Sequence, residues 1–284
     1  MYQPITRWAH LCVLAACASP NVPVAGIPVP SPTTPTPTTP SRRTWTFTYA
    51  AGALSYEVSR TATIESQSDS SSHTELSNNA THELLNLDVA GDTIRFTAAI
   101  DTFATATQGS IGPVETLRLP IQLRGSLTHD SLAISNDSIP ESCNPAESAL
   151  STDLRSLLIL FPAKLDQGAT WRDSTAAKGC YGMLSTTVTS SRSFTVTGET
   201  TYEGRPILAV QRADTISAHG EGSQQQHQLV LDATGTGTAL YYLSPDDGHI
   251  VHLSTEQDLN LAITVSGQVH RFRQHSKQEF SLVR

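Results

Sequence analysis

Two histidines near the C-terminal end, His249 and His252, are the residues whose type and spacing could bind a metal ion. Three positions apart, they would share a face on a helix, but on a strand they point to opposite sides. The residues around them alternate as in a strand, and the preceding Pro245-Asp246-Asp247-Gly248 is ordinary turn sequence. We therefore expect exposed strand histidines. A metal site is the weaker alternative, and we predict no metal-ligating set.

The sequence lacks the motifs of common hydrolases and nucleotide-binding enzymes. It contains no GxSxG, no SxxK and no HExxH. Gly235-Thr236-Gly237 lacks the third glycine of a dinucleotide-binding loop, and it precedes the strand-like Leu240-Tyr241-Tyr242 where such a loop would open a helix. We predict a turn or bulge there. We also expect no catalytic residues, no cofactor and a role other than that of an enzyme.

The four cysteines divide into two pairs. Cys12 and Cys17 lie near the N-terminus, whereas Cys143 and Cys180 lie in the body of the chain. An even pair in an exported protein favours a disulfide, so we predict that Cys143 is bonded to Cys180. The alternatives are two buried free thiols and, less favoured without a CxxC or a nearby histidine pair, a metal site. Closing this loop would stabilise the fold by about 4 kcal/mol.

The N-terminal residues have the layout of a secretory signal. Arg7 supplies a positive charge, Trp8 to Ala16 form a short apolar run, and small residues then lead to the cysteine of Leu14-Ala15-Ala16-Cys17. This segment resembles the lipobox of bacterial lipoproteins. The resemblance implies removal of residues 1–16, acylation of Cys17 and a lipid anchor in the cell envelope. A plain secretory signal is the alternative, whereas a membrane span would need about 20 apolar residues.

The next segment, residues 17–43, holds eight of the chain's 16 prolines. Proline fixes φ and lacks the amide donor, so the segment is typical of a polyproline II-like tether that carries residues 44–284 away from a membrane. Ala18, where enteric-type sorting places aspartate for inner-membrane retention, permits an outer-membrane location. We expect the periplasmic face of the outer membrane or the cell surface.

The formal net charge of −8 argues against nucleic acid as a partner, because nucleic-acid binding needs a basic surface. It also argues against adsorption to anionic headgroups by charge alone. The partners that we predict are the membrane through the lipid anchor, a lipid or hydrophobic ligand, and other envelope proteins.

After the tether the apolar residues recur with the period of a β-strand, and threonine and serine fill the positions between them. Turn sequences at Ala90-Gly91-Asp92, Glu203-Gly204-Arg205 and Pro245–Gly248 separate these runs, which predicts antiparallel hairpins. The apolar alternation is clearest at Trp45, Phe47 and Tyr49; Tyr56, Val58, Ala62 and Ile64; Ile94, Phe96, Ala98 and Ile100; Leu117, Leu119, Ile121 and Leu123; Leu229 and Leu231; Leu240 and Tyr242; Leu259, Leu261, Ile263 and Val265; and Phe280 and Leu282.

One segment has helical spacing instead. Asn144 is a good N-cap residue, Pro145 suits the first helical position, and Pro162 stops a helix. The sequence therefore predicts a helix over residues 145–161. Its apolar stripe is expected to cover the concave side or the open end of the sheet, with Asp153 and Arg155 off the stripe. The stripe comprises Leu150, Leu154, Leu157, Leu158 and Phe161.

The string Leu165–Asp173, with its Gly168 turn and Trp171, and the late hairpin at Asp247-Gly248 resemble uncharacterised bacterial β-rich lipoproteins over residues 160–284. The resemblance implies no activity. The inferred architecture is also loosely similar to lipoprotein-carrier half-barrels, in which a curved antiparallel sheet with a helical plug holds acyl chains. From the residues alone, Trp171 is predicted to be a core anchor.

The fold class predicted for residues 44–284 is therefore mainly β: a curved antiparallel sheet or open barrel with one covering helix. Two functions follow. The first is an envelope lipoprotein that binds an apolar or amphiphilic molecule, with a cavity lined by Phe96, Leu119 and Leu158. The second is a structural or interaction protein of the envelope with a filled interior and no small-molecule ligand.

Overall fold

The structure is a computed structural model that describes residues 43–67, 74–108, 119–135, 144–162, 164–181, 184–224 and 227–283. These residues belong to one compact unit, Arg42–Arg284. The predicted signal and the tether up to residue 42, with Cys12 and Cys17, lie outside the described residues, as does Cys143. The lipobox, the tether and the disulfide therefore stay predictions.

Within the described residues the chain forms thirteen strands and one helix. In chain order they are β1 (Thr44–Thr46), β2 (Gly52–Ser66), β3 (Thr74–Ala90), β4 (Thr93–Gln108), β5 (Ile121–Leu127), β6 (Leu132–Ile134), α1 (Pro145–Leu157), β7 (Lys164–Asp166), β8 (Thr170–Tyr181), β9 (Leu184–Tyr202), β10 (Arg205–Gln224), β11 (His227–Leu243), β12 (Ile250–Val265) and β13 (Gln268–Val283).

The main element is an 11-stranded sheet in the order β6-β5-β4-β3-β2-β13-β12-β11-β10-β9-β8, and each pair of neighbours in it is antiparallel. It curls into a half-barrel, which confirms the predicted fold class. A separate two-stranded sheet joins β1 to β7 and pairs Trp45 with Leu165. The three predicted turns are also confirmed, since each lies between two paired strands.

The prediction of a turn or bulge at Gly235-Thr236-Gly237 is wrong. These residues continue β11 in unbroken register with β10 and β12. The odd-numbered residues of this strand face the interior from Leu231 to Leu243, so Leu240 and Tyr242 face outward. Those two side chains pack with Ile207, Ala209 and Val251 in a small cluster on the outer face.

The helix begins where the sequence predicts. The side-chain oxygen of Asn144 accepts hydrogen bonds from the amides of Ala146 at 3.1 Å and Glu147 at 3.2 Å, which satisfies two of the free N–H groups at the helix start. The predicted end at residue 161 is wrong, because α1 ends at Leu157.

A residue distant in sequence explains this early end. The Tyr49 hydroxyl accepts a hydrogen bond from the Ile159 amide at 2.8 Å, and it lies 3.2 Å from the carbonyl oxygens of Leu157 and Ile159. It thus holds residue 159 out of the helical path and gives terminal backbone groups a partner. The guanidinium of Arg192 donates to the Arg155 carbonyl at 2.8 Å, which satisfies another C-terminal carbonyl.

The helix closes the open side of the half-barrel. It packs against β8, which is one edge of the sheet, and against β5 and β4 near the other edge. The Ser148 hydroxyl accepts a hydrogen bond from the Cys180 amide of edge strand β8 at 2.9 Å. Covering an edge strand in this way protects its unpaired backbone groups. The stripe from Leu150 to Leu158 is buried in the main core, which confirms the predicted covering role.

The prediction that Asp153 lies off the buried stripe is wrong. This residue is only 1 % exposed. It faces the sheet because it comes three residues after Leu150 and four before Leu157, which places it on the same side of the helix. Phe161, beyond the helix end, is half-buried and packs its ring against Phe47.

Candidate functional site: a cavity between the helix and the sheet

A cavity of about 340 Å³ lies between α1 and the inner face of β8–β13. Small-molecule pockets occupy about 300–1,000 Å³, so this volume suffices for a small ligand. Its walls combine apolar and charged side chains. The lining residues include Arg155 of α1, Val188 and Arg192 of β9, Arg212, Asp214, Ile216 and Ala218 of β10, Leu231 and Ala233 of β11, and Leu259 and Leu261 of β12.

One part of the wall is apolar and made mainly by β10, β11 and β12. Ala218 lies opposite Ala233 and Val188 in the sheet register, and Leu261 lies opposite Ala233 on the next strand. Residues facing each other across a ladder share one face of the sheet. These side chains therefore form a continuous apolar surface toward the β10–β11 hairpin end of the cavity.

Glycines make room inside the curled sheet. Gly235 lies opposite Ile216, and Gly237 lies opposite Asp214. A Cβ atom at Gly237 would lie 3.2 Å from Asp214 Oδ2, and one at Gly235 would lie 2.0 Å from the Asp258 carbonyl oxygen. Side chains at these positions would displace the carboxylate or the neighbouring strand. The glycines thus permit both the tight curvature and the space beside Asp214.

The polar part of the wall is built around Arg212 and Asp214, two residues apart on β10. Arg212 Nη2 lies 2.8 Å from Asp214 Oδ2, and Arg212 Nη1 donates to the hydroxyl of Tyr241. The guanidinium carbon also lies 5.5 Å from the centre of the Tyr241 ring. All three side chains are buried. Burial raises the pKa of Tyr241, so its hydroxyl stays protonated.

A second ion pair fixes the helix end beside the cavity. Arg192 makes two hydrogen bonds to Asp173, with Nε to Oδ1 at 2.6 Å and Nη2 to Oδ2 at 2.5 Å. The same guanidinium donates to the Arg155 carbonyl, as described above, and lies over the ring of Phe194. Such a bidentate pair is geometrically specific. It joins β8, β9 and the last turn of α1 into one wall.

A third polar cluster anchors the helix to β2, β3 and β13. Arg60 pairs with Glu83 at 2.9 Å and with Asp153, and Gln278 Nε2 donates to Asp153 Oδ1 at 2.6 Å. Burial, followed by the nearby Asp153 carboxylate, raises the pKa of Glu83 well above its usual value. One arginine therefore lies between two buried carboxylates, of which one tends to retain a proton.

The predicted cavity-lining residues do not line this cavity. Phe96 and Leu158 are buried in the main core, and Leu119 is an exposed side chain. Trp171, predicted to be a core anchor, packs against that core and stacks on Phe194 with ring centroids 4.7 Å apart, so that prediction is confirmed.

The two histidines singled out by their spacing are not exposed, contrary to the prediction. His249 is buried, and its Nε2 lies 3.0 Å from the Ala50 carbonyl oxygen. His252 is half-buried and stacks on the ring of Tyr202, and burial lowers its pKa. In the part of the chain that the structure describes, no group of three or more His, Cys, Asp or Glu side chains could hold a metal ion.

No protein-family model matches the chain, and no curated protein is similar to it in sequence. Its similarity to solved structures is weak. A domain described as an outer membrane lipoprotein-sorting protein, from Vibrio parahaemolyticus, is 9 % identical, with 78 % of this chain and 83 % of that chain covered and a TM-score of 0.16. Pseudomonas aeruginosa OpdQ is 9 % identical, with 81 % and 98 % covered and a TM-score of 0.21. At these TM-scores neither structure bears on the function of this chain.

Among the described residues, no helix has the length and apolar character needed to cross a membrane.

Proposed function

We propose that this protein is a lipid-anchored lipoprotein of the cell envelope whose β domain binds a small amphiphilic molecule in the cavity between α1 and β8–β13. The observation that carries the proposal is the cavity of about 340 Å³ with a charged wall and an apolar wall. An amphiphile fills such a space with each of its ends in contact with a wall of matching polarity. The lipobox-like Leu14–Cys17 supports the envelope location and the anchor.

The role that we propose is binding without catalysis. The charged side chains deep in the cavity wall are held in ion pairs, Arg212 with Asp214 and Arg192 with Asp173. Side chains held in ion pairs of this kind can position a ligand. A general acid or base must instead exchange a proton with the ligand. We place the protein on the periplasmic face of the outer membrane or on the cell surface.

The test compares a cavity-filling substitution with a matched control on the opposite face of the same strand. Ala218 lines the cavity, whereas Ala213 is exposed on the outer face of β10. Both Ala218→Phe and Ala213→Phe are made in the full chain carrying Cys17→Ser, which removes the acylation site and allows work without detergent. Binding is followed with N-phenyl-1-naphthylamine, a neutral apolar fluorophore that brightens on leaving water.

The parent chain should bind the fluorophore saturably. Ala218→Phe should weaken binding by about tenfold or more, because the ring occupies the ligand space. Ala213→Phe should change the affinity by less than about twofold, as expected for a surface position. Circular dichroism and thermal unfolding confirm that each variant is folded. Equal binding by the parent and Ala218→Phe would overturn the proposed function.

A further inference from the structure

The buried Arg212–Asp214 pair presents two polar atoms that no other part of the described structure satisfies. Arg212 Nε and Asp214 Oδ1 are both buried and have no hydrogen-bond partner among the described residues. The remaining groups are used, since Nη2 and Oδ2 pair with each other and Nη1 bonds Tyr241. Buried polar groups are nearly always hydrogen-bonded, and leaving them unpaired is costly. Both side chains belong to the cavity wall, but these two atoms are covered in the structure, so a ligand head supplies their partners only when the Arg212–Asp214 pair turns toward the cavity.

The two atoms have opposite requirements. Arg212 Nε–H is a donor and needs an acceptor, whereas the Asp214 carboxylate oxygen is an acceptor and needs a donor. A hydroxyl or an amide carries both a hydrogen-bond donor and an acceptor within a few ångströms of each other. A carboxylate or phosphate would bring negative charge against Asp214, and an ammonium group would bring positive charge against Arg212. The pair has no net charge, so neither ion gains from the site as a whole.

The rest of the cavity wall determines the length and polarity of the other end of the ligand. Asp214 and Ala218 are four residues apart on β10, a rise of about 13 Å along the strand. Between and beside them Ile216, Leu231 and Leu259 form an apolar strip, with the polar side chains of Thr186, Ser190 and Gln257 in the same wall. This length and character suit an alkyl chain of medium length. The chain would lie toward the β10–β11 hairpin end.

We infer that the cavity selects an uncharged amphiphile, with a hydroxyl or amide head hydrogen-bonded to Arg212 and Asp214 and an alkyl tail along Ile216 and Ala218. The inference rests on the proposed function and adds the class of ligand and its orientation. The hydroxyl or amide accepts from Arg212 Nε–H and donates to Asp214 Oδ1. The head therefore supplies partners to two atoms that the protein leaves unpaired.

The test uses three probes with the same tail and different heads: octanamide, octanoate and octylammonium at about pH 7. Affinities are measured by isothermal titration calorimetry on the full chain carrying Cys17→Ser. Octanamide should bind about tenfold or more tightly than either ion, because each ion leaves one atom unpaired and faces a like charge. A preference for octanoate or octylammonium, or equal affinities, would overturn the inference.

A double variant keeps the test independent of folding defects. Removing one member of a buried ion pair can unfold a protein, but replacing both by apolar residues of similar size is often neutral. Arg212→Met combined with Asp214→Leu should therefore fold and still bind N-phenyl-1-naphthylamine, while its preference for octanamide falls to less than about twofold. An undiminished preference for octanamide in this variant would contradict the assignment of the head to this pair.

The two proposals fail in different ways. If no probe binds and Ala218→Phe has no effect on the fluorophore, the cavity is not a binding site and the proposed function is wrong. If Ala218→Phe blocks the fluorophore but the parent chain prefers a charged head, the function stands and only the inferred ligand class is overturned.

Discussion

Replacing Asp153 by alanine should lower the free energy of unfolding by about 2–3 kcal/mol. The side chain is buried, accepts a hydrogen bond from Gln278 at 2.6 Å and pairs with Arg60. A hydrogen bond to a charged group contributes about 1.5–3 kcal/mol, and breaking a buried ion pair completely costs about 3–5 kcal/mol. Arg60 keeps Glu83 at 2.9 Å, and the Asp153 carboxylate that helps to raise the pKa of Glu83 is gone. The expected loss is therefore below the full ion-pair figure.

For a domain of this size, about 1 kcal/mol corresponds to about 2–4 °C in Tm, so Asp153→Ala should lower Tm by roughly 4–12 °C. Urea unfolding and differential scanning calorimetry measure the two quantities. Asp232→Ala is the matched control, because this aspartate of β11 is 65 % exposed and should tolerate the change. Equal, small effects of both substitutions would refute the account of a helix docked through a buried carboxylate.

Other consequences of the structure and the sequence can be tested separately. Burial raises the pKa of Glu83, so the folded state loses stability as the pH rises from the unfolded value of about 4.3 through the folded one. Urea unfolding should therefore show Glu83→Gln more stable than the parent at neutral pH, with a gain that vanishes in acid; parallel pH profiles would contradict this. Leu157→Ala should cost about 2–5 kcal/mol, and an unchanged Tm would place its side chain in solvent. Cys17→Ser should release the protein into the soluble fraction without N-terminal acylation, and a variant that stays membrane-bound would rule out this anchor. Non-reducing peptide mapping should recover Cys143 linked to Cys180, whereas alkylation of both without reductant would count against the disulfide.

The fold class could be predicted because its signals are local. Alternating apolar and polar residues define the strands, and Asn144 with Pro145 defines the helix start. The helix end could not be predicted in the same way, since the Tyr49 hydroxyl that holds Ile159 lies over 100 residues earlier in the chain. A contact between distant segments has no signature in the local sequence.

The spacing of Asp153 from Leu150 and Leu157 predicts that it lies on the buried side of the helix. A charged residue is usually assigned to solvent, however, and its partner Arg60 lies on a distant strand. Arg212 and Asp214 are likewise charged residues that would usually be assigned to solvent, yet they share the inward face of β10 with Val210 and Ile216. Their alternation with outward-facing residues along the strand predicts that both side chains point inward. The curvature that brings them into one cavity wall depends on the whole sheet and cannot be predicted locally.

The glycines of β11 show how a local pattern can mislead. Leu229 and Leu231 are odd-numbered and the apolar Leu240 and Tyr242 are even-numbered, which suggests an interruption between them at Gly235 and beyond. The strand is continuous, and the even-numbered pair belongs to a second, outer-face cluster. Glycine at Gly235 serves close approach to the neighbouring strand rather than a change of direction.

Native mass spectrometry of the wild-type protein extracted from its membranes tests the central claim most directly. We expect a folded species that carries one additional small-molecule mass, which denaturation releases, and we expect this mass to be absent from Ala218→Phe and present in Ala213→Phe. Tandem fragmentation of the released molecule should show an alkyl chain with an uncharged hydroxyl or amide head. Spectra in which wild-type protein and Ala218→Phe carry the same species, or in which neither carries any, would contradict a ligand site between α1 and the sheet.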